Sequence, residues 1–399
     1  MEGESFLDMF HRLTSIGWTP ETGVNRLALN KYDIEARNNF VRELTSAKAD
    51  ISVDDAGLIF GSVGSGKDNI AIGSHMDSVP NGGRFDGFYG VMAALQMVKE
   101  FSGNTGRKRI TAIDFTNEEG ARFQPSLLGS GMSTGVFSRE FTYSRKDKDG
   151  TTFEDALKSS GYMGNSENRV TKQLFSRFIE LHIEQGPVLE LGKYQIGIPK
   201  GIVTLIINNI EFTGESNQAG PTPMEARKDA LVAASRFIVE VRNLAKLSGK
   251  DVVMTVGKLD NYPNAYNVIP GKVKLNLDTR SPDIKTAEEY SALAKEISRK
   301  IADEEGVAVN FEKQWTTETT LFDEDLQKDI EKACIELNLK YKYLYSWAGH
   351  DAQYMNRVVP TAMIFIPSHL GRSHTKEEYS SDNDLLNGLA VLRKTVQNL

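Results

Sequence analysis

Three of the six histidines in this 399-residue chain stand where an apolar run stops. His75 ends "IAIGSH", His182 lies in "FIELHIEQG", and His374 sits in "GRSHTKEE", shortly after "AMIFIP". Carboxylates accompany them. Asp86 lies in the glycine-rich "NGGRFDGFYG", and Glu118 and Glu119 follow "ITAIDF" side by side. Imidazole and carboxylate donors together suit a borderline divalent cation such as zinc, nickel or manganese. Each feature alone has a plainer reading. A strand-end histidine is commonly a half-exposed polar residue, an adjacent glutamate pair is commonly a solvated face, and a glycine-rich loop can be only a turn. Their joint placement at strand termini is what raises the metal reading. The spacing is not a compact motif of the HExxH kind, so pattern alone goes no further.

These residues need a frame that brings strand ends together. "GLIFGSVG", "NIAIGSHMD" and "RITAIDFTN" read as strands: short, rich in β-branched residues and bounded by turn residues. Between the last two, Phe88, Val91, Met92, Leu95 and Val98 fall on one helical face. Strand, helix, strand predicts an α/β layer with parallel pairing, whose carboxyl ends form ligand sites. Two helical patterns precede it in residues 5–49, and "RFIELHIEQ" adds a strand. Residues 138–175 are polar and irregular and are left without elements.

The pattern changes at "GIVTLIINNIEFTG" (201–214), read as one strand. A long amphipathic helix at 224–247, strands at 252–259 and 272–280, a helix from 284 and the strand "VAVNFEK" follow. The order βαββαβ is the ferredoxin-like arrangement. A helix at 323–338, a strand at 361–367 and a helix from about 383 then resume the α/β pattern. The expected fold is a discontinuous α/β core, 1–200 plus 315–399, carrying an inserted α+β domain at 201–314.

Composition excludes several classes. The net charge is −7 with 25% charged residues, which gives no basic footprint for nucleic acid. One cysteine, Cys334, excludes an intrachain disulfide framework and fits a reducing compartment. "MEGESFLDMF" has neither the cationic nor the apolar region of a signal peptide. No apolar run approaches the ~20 residues that span a bilayer. A cytoplasmic protein is expected, without nucleic-acid or membrane partners. "GSVGSGKD" (61–68) falls one residue short of a phosphate-binding loop, because Asp68 stands where a hydroxyl is needed and a strand follows instead of a helix. It reads as a hairpin turn.

At the level of whole motifs the chain resembles the hydantoinase/carbamoylase family of dinuclear metal amidohydrolases. "GSHMDSVPNGGRFDGFYGV", "FTNEEGARF…LLGSG", "ELHIEQGPVLE", "AGPTPMEARKDA", "NAYNVIPG", "DTRSPD", "AGHDAQ" and "GRSHTKEE" carry the resemblance, in order, from about residue 60 to the C-terminus. The resemblance implies two divalent metal ions (zinc, manganese, nickel or cobalt). His75, Asp86 and His182 would hold one, and Asp86, Glu119 and His374 the other, with Asp86 bridging. It implies Glu118 as general base and Asp77 as the carboxylate that orients His75. Gln185 would lie near the scissile group, and Asn267 and Arg280 would grip a substrate carboxylate. His350 matches a motif near the site without an assigned role. The implied partners are a small-molecule carboxylate substrate and a second copy, paired through the small domain.

Two departures stand out. Gln218, in "NQAGPTPM", replaces the family's histidine; it can donate an N–H but is neutral at every pH. Trp347 replaces a small residue in "SWAGHDA". The expected activity is cleavage of an N-carbamoyl or ureido C–N bond in an amino-acid-like carboxylate, such as an N-carbamoyl-L-amino acid or allantoate. The alternatives are an aminoacylase or dipeptidase, and a metal-containing binding protein that has lost catalysis.

Overall fold

The computed structural model describes residues 4–103 and 106–399. The first three residues of the segment read above for a leader therefore lie outside it. The chain divides into two compact units, residues 1–201 with 321–399, and residues 202–320.

The larger unit is built on a mixed sheet. Its main strands are β1 (Asp50–Val53), β2 (Ile59–Val63), β3 (Asp68–His75), β4 (Lys108–Phe115), β5 (Arg177–Ile183) and β6 (Ile196–Ile202). In the smaller unit, β7 spans Thr204–Thr213, β8 Val253–Tyr262, β9 Lys272–Ser281 and β10 Ala308–Thr317. The chain then returns to the large sheet with β11 (Tyr341–Ser346) and β12 (Thr361–Ile366). Large-sheet neighbours run β6–β12–β5–β3–β4–β2–β1, with β11 also on β6. The four central strands β12, β5, β3 and β4 are parallel. They are buried on both faces, as near-continuous apolar runs in parallel sheets must be.

Helices α1 (Phe6–Thr14), α2 (Lys31–Ser46) and α3 (Phe88–Phe101) follow the predicted pattern. The expectation of one apolar face on α3 is too narrow. Tyr89, Gly90, Ala93, Ala94 and Met97 are buried as well, because α3 packs on the sheet and is covered by α1 and α2. Gly90 permits the approach: a Cβ there would lie 2.3 Å from the Leu181 carbonyl.

Three expectations need correction. Residues 138–175 hold two short helices, Arg139–Tyr143 and Phe153–Ser160. Residues 201–214 hold the end of β6 and all of β7, which lie in different sheets. The 61–68 stretch is not a hairpin turn, because β4 lies between β2 and β3. The connection crosses the start of β4, and Gly66 leaves no room for a Cβ against the Arg107 carbonyl.

The smaller unit has strand order β8–β9–β7–β10, all antiparallel. Helices α4 (Ala230–Lys246) and α5 (Ile284–Glu305) pack on the sheet through Phe237 and Ala294, against Val273, Leu275 and Leu277. This is the ferredoxin-like order. Strand β10 runs to Thr317, past the expected boundary at 314, because its pairing with β7 continues to Leu205.

Candidate metal centre

The order of the large sheet decides where ligands can gather. Strand β3 leads through α3 to β4 on one side, whereas β5 lies on its other side. Such a reversal opens a crevice at the strand carboxyl ends. His75 is the last residue of β3 and His182 the penultimate residue of β5. Their rings lie 6.1 Å apart. The Asp77 carbonyl accepts from His75 Nδ1 at 2.9 Å, and the Ile183 carbonyl accepts from His182 Nδ1 at 2.8 Å. Anchoring both rings through Nδ1 leaves Nε2 as the atom that would meet a cation; on His182 that nitrogen accepts from the Gly87 N–H at 3.1 Å.

Asp86 enters on the loop before α3. Its Oδ1 lies 3.1 Å from His182 Nε2 and 3.7 Å from His75 Nε2. Its Oδ2 lies 3.1 Å from His374 Nε2. Glu119 Oε2 lies 3.3 Å from that same His374 nitrogen. Two groups result, His75–Asp86–His182 and Asp86–Glu119–His374, each with donor atoms inside 4.8 Å. One carboxylate thus faces both groups with a different oxygen. Gly87 is required beside it, with φ +64° and a position where a Cβ would strike His75 Nε2 at 2.3 Å.

The glutamate turn explains how adjacent residues serve different partners. Asn117 has φ +57°, and its side chain clamps Phe123 through both amide atoms. Asp77 accepts from the backbone N–H of Glu118 at 3.1 Å and of Glu119 at 3.3 Å. Glu118 Oε2 then lies 3.7 Å from His75 Nε2, while Glu119 reaches His374. The expected part for Asp77, holding the His75 ring by its carboxylate, is modified: that carboxylate is 3.8 Å from Nδ1 and carries the glutamate turn instead.

Gln185 Nε2 donates to Asp86 Oδ2 at 2.7 Å and to Ser373 Oγ at 3.2 Å. His350 is buried; its Nε2 is paired with Ser346 Oγ at 2.9 Å and its ring meets His182 edge-on at 4.5 Å. Burial holds it well below the usual histidine range, so it stays neutral. It supports His182 and is not presented as a substrate contact.

The residues expected to bind substrate from the smaller unit fall into two places. Gln218 pairs with Val268, and the Asn267 carbonyl accepts from Ala219 N–H at 2.9 Å, so Gln218 and Asn267 share one exposed loop cluster beyond Thr213. Arg280 instead faces Leu205, at the other end of β7. The intervening strand spans roughly 25 Å at about 3.3 Å per residue. Arg280 is paired with Asp278, Nη2 to Oδ2 at 2.9 Å. One chain therefore does not bring these three residues together.

Sequence reasoning missed Glu378. Its Oε1 accepts from the backbone N–H of Phe85 at 2.8 Å and Asp86 at 3.0 Å, and Oε2 accepts from Ser373 Oγ at 2.8 Å. Ser373 Oγ also contacts Asp86 Oδ2 at 2.9 Å. Glu378→Ala is expected to weaken metal affinity about 10–100-fold, as loss of a carboxylate that fixes a ligand does, read by titration against a competing chelator. Glu180 was missed too. It is buried in mid-strand, accepting from Ser74 Oγ and the Ala352 amide. A carboxylate inside the apolar "FIELHI" was the available signal.

The glutamates and histidines of the cluster hold protons firmly, whereas at Asp86 burial is outweighed by the hydrogen bonds from His182, His374 and His75, which keep the carboxyl well below the usual range. His374 is raised to about 9, chiefly by its hydrogen bond to Asp86. Glu119 is raised to about 8 by burial and by Asp86. Burial pushes Glu118 well above the usual carboxylate range. Burial disfavours charge on His75, but Glu118 and Asp86 outweigh it and hold the ring above its ordinary value. Cation binding at these donors competes with protons. Three nitrogens and carboxylate oxygens converging at this range fit a pair of divalent ions.

The sequence pattern of peptidase family M20/M25/M40 matches residues 71–398. The chain belongs to this family. It is 32% identical over 400 residues to an allantoate amidohydrolase of Bacillus subtilis, covering 99% of this chain and 97% of that protein. It is 35% identical over 376 residues to an N-carbamoyl-L-amino-acid amidohydrolase of Rhizobium meliloti, covering 93% and 90%. The crystal structure of an amidase of the hydantoinase/carbamoylase family from Burkholderia multivorans superposes with TM-score 0.89 at 34% identity, covering 98% and 96%. The resemblance read from the motifs thus holds over almost the whole chain, and the family member described here is a hydrolase of amide-type C–N bonds.

Proposed function

We propose that the chain hydrolyses the ureido C–N bond of an N-carbamoyl amino acid or a related ureido acid such as allantoate. The carrying observation is Asp86, whose two oxygens face separate histidine–carboxylate groups while Glu118 flanks one of them. Support comes from the relatives, which are named for ureido substrates. His75, Asp86, His182, Glu119 and His374 would hold two divalent ions. When bound, these would acidify the attacking water and polarise the scissile carbonyl.

The remaining steps belong to side chains. Glu118 stands next to the ligands without being needed as one, its Oε2 3.7 Å from His75 Nε2, where a carboxylate can accept a proton. It takes a proton from water as the oxygen adds to the carbamoyl carbon, and returns it to the departing nitrogen, a poor leaving group unless protonated. The C–N bond breaks, and the carbamate left behind decomposes to carbon dioxide and ammonia. Asp77 keeps Glu118 in place through its backbone.

We further assign substrate contacts to Gln218, Asn267 and Arg280. Since the first two lie at the opposite end of β7 from Arg280, all three meet one small carboxylate only if a second copy contributes. This supports a homodimer through the small domain. Light scattering is expected to give twice the chain mass, and a monomer would overturn that assembly. Among the described residues no helix is long and apolar enough to cross a membrane.

The test is ammonia release by protein loaded with Mn²⁺, Co²⁺, Ni²⁺ or Zn²⁺. N-carbamoyl amino acids, N-carbamoyl-β-alanine and allantoate form the panel. Ammonia from at least one is expected. Amine release from N-acetyl amino acids or dipeptides, with no ammonia from the panel, would select the aminoacylase alternative.

A further inference from the structure

A cleft of about 400 Å³ lies beside the metal centre within the larger unit. Pro187, Val188, Leu344, Tyr345, Trp347 and Ala348 line it, together with Glu184, Gln185 and Gly186. The volume falls in the range of small-ligand pockets. Its one carboxylate, that of Glu184, is committed: Oε1 accepts from Val188 N–H at 2.8 Å and Oε2 from Leu189 N–H at 2.9 Å. Among the described residues no cationic side chain lines it. Val188 is 41% exposed and Trp347 37%, so apolar surface stands open here.

Gln185 joins this cleft to the centre. Its Nε2 lies on Asp86 at 2.7 Å, whereas its Oε1 is buried with no hydrogen-bond partner. A buried acceptor without a donor is costly. A substrate whose scissile C–N bond lies at this centre sets its nitrogen near Gln185, which touches Asp86 and also lines the cleft. The carbon bearing that nitrogen also bears the substrate's side chain, and the apolar walls begin next to Gln185.

We infer that this cleft receives the substrate's side chain and selects ureido acids carrying a large aliphatic or aromatic group over those carrying none or a polar one. The inference rests on the amidohydrolase reading and narrows it. A charged or ureido side chain would lose its hydration here without a counter-charge, whereas an aromatic ring gains contact with Trp347 and Tyr345.

The test compares kcat/KM for N-carbamoylphenylalanine, N-carbamoylglycine and allantoate in the Mn²⁺-loaded protein. The phenylalanine derivative is expected to exceed both others by about 10–100-fold, the discrimination an apolar pocket supplies. In Val188→Asp or Trp347→Ser, whichever folds better, the phenylalanine-to-glycine ratio should fall to about a tenth of the wild-type ratio or less. A ratio near one in the wild type, or an unchanged ratio in the variants, overturns the inference. If no ureido acid is turned over, the amidohydrolase reading fails by itself. Calorimetry then judges the cleft: phenylalanine binding at least about tenfold tighter than glycine supports it, and equal binding overturns it.

Discussion

Glu118→Gln is expected to lower kcat by about 10²–10⁴-fold, the contribution of a positioned general base, while metal content stays at the wild-type level. Glutamine keeps the shape and the backbone bond to Asp77 but accepts no proton. Glu119→Gln should behave differently. Its carboxylate lies 3.3 Å from His374 Nε2, so the change removes a donor from the Asp86–Glu119–His374 group. Metal content should fall, and turnover should recover in part when excess metal is supplied. Elemental analysis beside single-turnover kinetics separates the two outcomes. Equal metal loss in both variants would sink the division of labour.

Asp86→Asn is expected to have the wider effect. Asp86 lies within reach of His182 and His374, and it accepts from Gln185 and Ser373. An amide offers one oxygen where two are used, so both donor groups should lose affinity and activity should fall below that of Glu118→Gln. Thermal unfolding gives a second readout. Metal at 100 times its Kd stabilises a folded protein by about 2.7 kcal/mol, which for a chain of this size is a rise of roughly 2–4 °C or less. Wild type should show that rise and Asp86→Asn should not. Acid should erase it in the wild type. His374 carries its proton up to about pH 9, so each step below that favours the proton over the metal. A metal-dependent rise that persists in Asp86→Asn would place the ions elsewhere.

The candidate ligands could be picked out because their signals are local: a polar residue ending an apolar run marks a strand's carboxyl end, whatever the strand's neighbours. The ferredoxin-like order was legible for the same reason, since β9 alternates buried and open residues from Lys272 to Ser281. Non-local facts were not legible. No local pattern says that β4 separates β2 from β3, and so the 61–68 connection was misread. The break between β6 and β7 hides in "GIVTL", where both sides are apolar and only the partner sheet differs. Glu378 acts on Phe85 and Asp86, nearly 300 positions earlier in the chain, and its own surroundings read as a polar loop. Arg280 matched a motif, but a motif does not tell which end of a sheet a residue occupies.

The contact between Glu378 and the Asp86 amide also joins late sequence to early sequence. As the chain is synthesised, His75, Asp86, Glu119 and His182 appear first, then the entire unit of residues 202–320, and only afterwards His374 and Glu378. The segment that carries the last ligand is also the one that fixes the shared carboxylate. The nascent chain therefore holds four of the five candidate metal-binding side chains well before the fifth. Any shortening at the C-terminal end that removes Glu378 would take away the acceptor of the Phe85 and Asp86 amides.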